Sequence, residues 1–168
     1  MSLFRLVRPV ALAGILLGAA VALGACSFSP VYSGTLASQP MLNLAFAKPT
    51  TRLEQVIYQE LSLRFGSSVA PTAPLATVTV AASSGAVGLS ATANPNKLSI
   101  LTVTASVTVT RRDGSDAAPI TFTRQASAQY TTSGQVLADT AAGNEAAERA
   151  ARAAAESLRL AMLASLSR

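Results

Sequence analysis

The chain of 168 residues contains no histidine, no tryptophan and only one cysteine. Without histidine it has no Ser-His-Asp triad, no His-paired catalytic cysteine and no His-based zinc site. Aromatic residues make up 5% of the sequence, which argues against a platform on which nucleobases or sugars stack. Together, these absences argue against an enzyme.

The few acidic residues are not arranged as a catalytic or metal-binding group. Asp113 and Asp116 flank a turn glycine and lack the further carboxylates of a calcium loop. Glu145 and Glu148 lie on a predicted helix, where arginines one turn later are expected to pair with them. Since the sequence also has no glycine-rich phosphate loop and no nucleophile elbow, it predicts no catalytic residue, no cofactor and no metal ligand.

The N-terminal segment has a basic start followed by an apolar run. Arg5 and Arg8 are the only charged residues before residue 48, and residues 10–23 are apolar. A basic region, an apolar core and small residues before a cut are typical of a secretory signal peptide. The run is shorter than the roughly 20 residues of a permanent transmembrane helix. We therefore predict that residues 1–25 are a cleaved signal peptide.

The apolar run ends in Leu23, Gly24, Ala25 and Cys26. This ending resembles the bacterial lipobox, in which the thiol receives a diacylglyceryl group, the chain is cut before the cysteine, and the new amine is acylated. With its one thiol acylated, the mature chain has no cysteine for a disulfide and must fold on its own core. The alternative is a plain signal peptide cut near Ala25, with Cys26 incidental.

Lipidation at Cys26 predicts a location for the protein. Each buried methylene adds roughly 0.8 kcal/mol of membrane affinity, so three acyl chains hold a protein almost permanently. In bacterial lipoproteins, an aspartate directly after the lipidated cysteine is associated with retention in the inner membrane. In this chain that position is Ser27. We therefore expect a lipid-anchored protein of the cell outer membrane that faces the periplasm.

The mature chain has the size of one domain. Cleavage leaves 143 of the 168 residues and lowers the formal charge from +5 to +3, because Arg5 and Arg8 are lost. Such a charge does not indicate nucleic acid as a partner. We expect residues 26–38 to be the lipidated cysteine and a tether, and residues 39–168 to form a single α+β periplasmic domain.

The first elements of that domain are a short strand and a helix. Leu42, Leu44 and Phe46 alternate with other residues, as in a strand with one buried face. Thr51 and Glu54 have the spacing of a capping box. Apolar residues then follow with helical spacing, and a glycine after them is expected to stop the helix: Leu53, Val56, Ile57, Leu61, Phe65 and Gly66.

A second strand and a long hairpin follow. Residues 75–82 alternate as a strand, and residues 83–97 are rich in small and polar residues without a period, which predicts a loop. Apolar residues alternate with threonine or serine over 101–110 and again over 120–130, which predicts an antiparallel hairpin with one apolar face. Arg124 interrupts its apolar row. An inward arginine can protect an exposed sheet edge, and the alternative is a role in ligand binding.

The C-terminal segment, about 137–166, is predicted to be an alanine-rich helix. Charged residues fall within one arc of the helix and small apolar residues lie opposite, facing the sheet: Glu145, Glu148, Arg149, Arg152, Glu156 and Arg159 against Ala147, Ala151, Ala154, Leu158 and Ala161. Leu160, Leu163 and Leu166 lie on or beside the charged arc. Because they continue apolar character onto a solvated face, we predict that they form a partner interface or a local core.

Taken in order, these elements predict an α+β fold. A short helical crossover between the first two strands favours parallel pairing, and two helices on one face of the sheet is the economical packing. We therefore expect a two-layer sandwich, in which two helices pack on one face of a mixed sheet of about four strands.

At this point the chain resembles a known family. A lipobox cysteine followed by Phe28-Ser29-Pro30-Val31-Tyr32 is similar to the start of LPS-assembly lipoproteins of the LptE family, and the order of elements and the alanine-rich end agree. The resemblance implies a plug within the outer-membrane barrel protein LptD, which helps to assemble the barrel and assists lipopolysaccharide export. Two alternatives remain: the auxiliary lipoprotein of an ABC-type lipid transporter, and a lipid-anchored structural protein of the envelope.

The resemblance also suggests lipopolysaccharide as a ligand. Arg111 and Arg112 stand at the hairpin turn, Arg124 is on the returning strand, and Lys97 lies near the start of the same pair. Arginine binds phosphate with paired, charge-assisted hydrogen bonds, so the three arginines are candidate ligand-binding residues. The alternative is that Arg111 and Arg112 keep the hairpin tip soluble and Arg124 protects an edge.

Replacing Cys26 by serine tests the anchor. We expect Cys26→Ser to abolish acylation and to leave uncleaved or mislocalised protein, because serine has no thiol to receive the diacylglyceryl group. Mass spectrometry of the purified chain and fractionation of the membranes measure both effects. An acylated Cys26→Ser chain in the outer-membrane fraction would contradict the prediction.

Overall fold

The computed structural model describes residues 43–88 and 96–166. The predictions for the signal peptide, for Cys26 and for the tether lie outside these residues. The described chain contains the following elements: β1 Asn43–Phe46, α1 Arg52–Ser62, β2 Gly66–Ser67, β3 Leu75–Val87, β4 Lys97–Thr110, β5 Ile120–Thr132 and α2 Val136–Leu166. The predicted order of strand, helix, strand, hairpin and helix is confirmed, with one additional strand.

The strands form one mixed sheet in the order β2-β1-β3-β4-β5. β1 pairs in parallel with β2 and with β3, so the predicted parallel pairing across the helical crossover is confirmed. β3, β4 and β5 are antiparallel and stay in register over almost their whole length. The predicted α+β sandwich is therefore confirmed, and the sheet has five strands where about four were expected.

Alternation along β3, β4 and β5 separates a buried face of the sheet from an exposed one. Side chains of the buried face have relative exposures of 0–3%: Ala76, Val78, Val103, Ala105, Val107 and Val109. The threonines and serines between them lie on the opposite face. Because side chains alternate with a period of two, the predicted pattern places every buried residue of this group on the side that the helices cover.

Helix α1 begins with the predicted capping box. The Thr51 hydroxyl accepts a hydrogen bond from the Glu54 N–H at 3.2 Å, and the Glu54 carboxylate accepts one from the Thr51 N–H at 3.2 Å. Thr50 extends this arrangement, since its N–H and its hydroxyl each donate to the same carboxylate at 2.7 Å. The box satisfies backbone N–H groups that have no partner within a helix.

The apolar face of α1 packs against β1 and β3. Val56, Ile57 and Leu61 are buried. The buried Tyr58 contributes its hydroxyl, which accepts a hydrogen bond from the Val78 N–H at 2.8 Å, and its ring, which meets that of Phe46 edge to face with centroids 5.9 Å apart. Burial raises the pKa of the Tyr58 hydroxyl, so this group stays protonated. These contacts fix both the depth and the orientation of the helix on the sheet.

Helix α2 is long and packs with small side chains. Its buried side combines alanines with two larger residues: Ala146, Ala147, Ala150, Ala151, Ala154, Ala155, Leu158 and Met162. Alanine loses no side-chain rotamer freedom in a helix and lets the helix lie close to the sheet. The prediction that the alanine side faces the sheet is confirmed by the burial of Ala147, Ala151, Ala154 and Leu158, and the fifth predicted residue, Ala161, is half-buried.

Two details of the chain differ from the sequence-based expectation. Ser83–Val87 pairs in register with Leu98–Thr102, so the first five residues of the predicted loop over 83–97 belong to β3, and Lys97 begins β4. Residues 89–95 of the predicted loop lie outside the described residues. The backbone ladder supplies the pairing that the side-chain pattern does not reveal. In addition, α1 ends at Ser62, and the capping residue after it, Leu63, has right-handed backbone geometry. Gly66, which was expected to stop the helix, instead begins the two-residue strand β2.

The capping box makes stability depend on pH. Hydrogen bonds from the Thr50 hydroxyl and N–H lower the pKa of Glu54 below its ordinary value of 4.5. The folded state therefore binds this proton less tightly than the unfolded state, and the carboxylate stabilises the fold above that value. This contribution is lost as the pH falls through the lowered folded-state pKa.

We expect Glu54→Gln to reduce the free energy of unfolding near neutral pH and to change it progressively less as the pH falls below 4.5. Chemical denaturation at a series of pH values measures the difference between wild type and variant. Glu145→Gln, which removes the same charge from an exposed position on α2, is the matched control. A difference for Glu54→Gln that stays constant with pH would contradict the prediction.

Candidate interaction surfaces

The face of the sheet opposite the helices is an uncharged surface, which we call the open face. In register, its residues form six rows that each cross β3, β4 and β5. Hydroxyl and amide side chains occupy most positions and charged residues occupy none. Starting at the end of the sheet where β4 connects to β5, the rows are Thr77–Thr108–Thr121, Thr79–Ser106–Thr123, Ala81–Thr104–Gln125, Ser83–Thr102–Ser127, Gly85–Ile100–Gln129 and Val87–Leu98–Thr131.

Hydroxyl groups of neighbouring strands bond to one another across the open face. Three pairs lie at hydrogen-bond distance: Thr102–Ser127 at 2.9 Å, Ser106–Thr123 at 2.8 Å and Thr108–Thr121 at 3.1 Å. Cross-strand pairs of this kind stabilise a sheet. The sequence pattern predicts only that these residues lie on the polar side of a hairpin. The feature that distinguishes them is that none of the outward positions of β3, β4 and β5 in the six rows is charged.

The two predicted arginines of the hairpin turn lie in a locally neutral segment. Arg112 Nε donates to the backbone carbonyl of Ala73 at 2.7 Å, which ties the β4–β5 connection to the turn before β3. Asp113 and Asp116 follow immediately. Hydrogen bonds from Ser115 lower the pKa of Asp113, and the charge of Arg111 lowers it further. An anion at this turn would therefore meet two carboxylates as well as two guanidinium groups.

Arg124 lies away from that turn. It is paired with Ala105 in β4, six residues before Arg111, or about 20 Å at roughly 3.3 Å per residue. Its Nη1 donates to the backbone carbonyl of Thr123 at 2.7 Å, and Arg149 Nη2 of helix α2 donates to the Gln129 carbonyl at 2.9 Å. Both carbonyls belong to β5, the edge strand, so these contacts favour the edge-protecting interpretation of Arg124.

The structure therefore does not bring all the predicted cationic residues together. Arg111 and Arg112 are adjacent, Arg124 is near the middle of the sheet, and Lys97 begins β4 at the opposite end. At about 3.3 Å per residue, the fourteen residues of β4 separate Lys97 from Arg111 by about 45 Å. A phosphate site in this region would use Arg111 and Arg112 only. Phosphate binding by these arginines remains a prediction.

The leucine surface, Leu160, Leu163 and Leu166, lies at the C-terminal end of α2. Leu160 is 55% exposed, whereas Leu158 and Met162 on the other side of the helix are buried. Leu163 is half-buried, and Leu166 is the final residue of the helix. The Leu160 side chain is therefore not enclosed in a local core. A partner interface formed by these three leucines remains a prediction.

The outer side of the helices carries the charges. Arg52 donates to Glu148 at 2.9 Å, and Arg152 bonds Glu148 at 3.2 Å and approaches Glu60 at 3.9 Å, which links α1 to α2. Arg149 lies 3.7 Å from Glu145, so both predicted pairs one turn apart are confirmed. Such exposed pairs contribute about 0–1 kcal/mol each. Their main effect is to make the helix side a solvated surface.

Within residues 43–88 and 96–166, no group of three or more acidic or cysteine side chains is placed to hold a metal ion. Over the same described residues, no helix has both the length and the apolar character required to cross a membrane.

Comparison with known proteins gives one family and several similar folds. The model of a family named LptE, described as lipopolysaccharide-assembly, matches residues 41–162. A search of curated proteins finds no significant match. Among solved structures, the rare lipoprotein B of Shewanella oneidensis superimposes with a TM-score of 0.56 at 15% identity, covering 74% of this chain and 95% of that chain.

Two other solved structures are similar. A protein of Caulobacter crescentus described as a lipoprotein has a TM-score of 0.50 at 20% identity, and covers 76% of this chain and 93% of its own. A minor lipoprotein of Acinetobacter baumannii has a TM-score of 0.50 at 16% identity, with 74% and 90% covered. At these identities the likeness shows a shared fold.

The arginine pair at the hairpin turn gives a testable prediction. We expect Arg111→Gln with Arg112→Gln to weaken binding of lipopolysaccharide and to reduce its dependence on salt, since screening acts over about 8 Å at physiological ionic strength. Titration of the purified chain with lipopolysaccharide at two salt concentrations measures both effects.

Arg124→Gln is the matched control, because it removes one cation about 20 Å from the turn. Equal binding by the wild type and the Arg111→Gln/Arg112→Gln variant would remove the pair from the candidate site. A loss with Arg124→Gln alone would instead move the site to the middle of β5.

Proposed function

Because the chain belongs to the LptE family of lipopolysaccharide-assembly proteins, we propose that it is a lipid-anchored lipoprotein of the outer membrane that assists assembly of, and lipopolysaccharide export through, an LptD-type barrel protein. The observation that carries this proposal is the family match over residues 41–162, which includes every helix and strand of the domain except the last residues of α2. The lipobox-like ending at Cys26 lies before the matched region and supports it independently.

The proposed role is one of binding and support. The chain has no histidine and one cysteine, and several of its charged residues cap a helix, form ion pairs or contact backbone carbonyls. A protein of this kind acts by occupying a surface of its partner, so the surfaces of the fold carry the function. We infer that the protein has no catalytic residues and requires no cofactor.

The leucine surface is a candidate contact with the barrel. Leu160 is exposed, although Leu158 and Met162 in the same part of the helix are buried. Large apolar side chains that are exposed next to a well-packed helix are often covered by a partner.

The test is co-purification. The full-length chain, carrying an affinity tag, is expressed with the LptD-type barrel protein of the same organism, and membranes are solubilised in detergent. We expect the barrel to co-purify with the wild type. Leu160→Asp would place an unpaired carboxylate in a desolvated contact, which costs on the order of 3 kcal/mol and reduces affinity about 100-fold.

Ala153→Asp is the matched control, since Ala153 is exposed on the same helix and is not a large apolar residue. We expect this variant to retain the barrel, and both variants to melt within a few degrees of the wild type. Co-purification of an inner-membrane permease complex in place of the barrel would contradict the proposal and favour an ABC-type lipid transport system. The absence of any partner would favour a structural envelope protein.

A further inference from the structure

Strand β3 has a long side that no other described strand covers. β1 pairs with β3 only at Leu75 and Ala76, and the chain then leaves the sheet to form α1. From Val78 to Val87, β3 has β4 on one side and, among residues 43–88 and 96–166, no strand on the other. We call this uncovered side of residues 78–87 the β3 edge; at about 3.3 Å per residue it is about 30 Å long.

The contacts of β1 show which backbone groups lie along the β3 edge. N–H groups of β1 and of the residue after it donate to the carbonyls of Pro74 and Ala76 at 2.8 and 3.0 Å, so the even-numbered residues of β3 direct their backbone groups to this side. The Val78 N–H points the same way and donates to the Tyr58 hydroxyl at 2.8 Å. Beyond it, four residues direct an N–H and a carbonyl outward that no described residue pairs: Val80, Ala82, Ser84 and Ala86.

The two long edges of the sheet differ in their protection against strand pairing. On β5, the guanidinium groups of Arg124 and Arg149 bond to the carbonyls of Thr123 and Gln129. Charged side chains and prolines are the usual means by which an edge strand is kept from pairing with another chain. Residues 75–88 contain neither, and residues 81–87 are exposed. The β3 edge therefore presents its pairing groups to solvent without the protection that β5 has.

The chemistry of the β3 edge selects its occupant. An extended polypeptide offers alternating N–H and carbonyl groups at the spacing of a strand, as in recognition by strand addition, and an edge without charge fits a neutral segment. Residues 81–86 are alanine, serine and glycine, and a Cβ added at Gly85 would meet no atom within 4 Å. Bulky β-branched or aromatic side chains would pack over these small residues. A second copy of β3 would bring only small side chains of its own.

We propose that the β3 edge is a site for strand addition, at which an extended, uncharged segment of another polypeptide, with bulky side chains at alternate positions, pairs with residues 80–86. The added strand lies beside β3 in the line that β1 leaves at Phe46. Main-chain hydrogen bonds to the four outward residues supply the affinity, and the small side chains of β3 supply the selectivity. This inference goes beyond the proposed function, because it rests on backbone groups of the domain and does not require the barrel.

A synthetic peptide tests the site with the full-length chain in detergent. The probe is acetylated and amidated, alternates threonine with valine around one central phenylalanine, and carries a lysine at each end for solubility. The matched control peptide has the same sequence with N-methyl groups on its backbone amides. We expect the control peptide to bind about tenfold or more weakly than the probe, because methylation removes the donors that a strand ladder needs. Calorimetric titration measures both affinities.

A proline at an outward position closes the β3 edge while it leaves the ladder to β4 intact. In Ala82→Pro, the N–H that proline lacks is one that points outward. We expect this variant to bind the probe about tenfold or more weakly than the wild type. Gln125→Pro, the same substitution at an exposed position of edge strand β5, is the matched control and should bind it within about twofold. A melting curve of each variant reports whether it is folded.

Hydrogen exchange of the wild-type chain supplies a measurement that does not depend on the variants. In NMR spectra of the free protein, the amides of Val80, Ala82, Ser84 and Ala86 should exchange faster than those of the residues between them, which pair with β4. Addition of the probe should slow the exchange of these four amides by about tenfold or more, since each becomes part of a ladder. The N-methylated peptide should leave them unchanged.

Several outcomes would overturn the inference. These are equal binding of the two peptides, no binding of the probe by the wild type, full binding by a folded Ala82→Pro variant, and protection of β5 amides in place of the four on β3. Protection that grows with protein concentration in the absence of peptide, together with a dimer in sedimentation, would assign the β3 edge to a second copy of the chain. Because no measurement here includes the barrel, failure of this inference and failure of the proposed function are distinguishable.

Discussion

The fold depends on the burial of one face of the sheet under two helices. Without a disulfide or a metal site among the described residues, the free energy of burying apolar surface, roughly 25 cal/mol per Å², must hold the layers together. Leu44, Ile57, Leu61 and Leu158 are each fully buried in this layer. Everything else in the domain is arranged around it: the cap that starts α1, the tyrosine that reaches β3, and the ion pairs that join the helices at the surface.

One-sided burial gives the molecule two unlike surfaces. The helix side carries charges of both signs that pair with one another. The sheet side carries hydroxyl groups in rows and no charge. Because the helices already supply the core, the sheet residues that face away from it are not needed for folding beyond their cross-strand pairs.

Most of the fold could be predicted from the sequence because its larger elements have a clear period. β4, β5 and α2 alternate or repeat over more than ten residues, and the capping box of Thr51 and Glu54 marks the start of α1 unambiguously. The extension of β3 to Val87 could not be predicted, since Ser83–Val87 is exposed on both faces and carries no period; its structure comes from backbone pairing with β4. The two-residue strand β2 is too short to leave any pattern.

The candidate site was harder to predict than the fold, because a sequence shows which residue types are present and not what they already contact. Arg112 and Arg124 are arginines with the charge that a phosphate requires, yet both guanidinium groups donate to backbone carbonyls, and β4 keeps Lys97 far from either. Conversely, no single threonine of the open face is informative. Only the register of three strands shows that the hydroxyl groups form continuous rows, and that these rows carry no charge. The register therefore turns an ordinary alternation of residues into a continuous surface without charge.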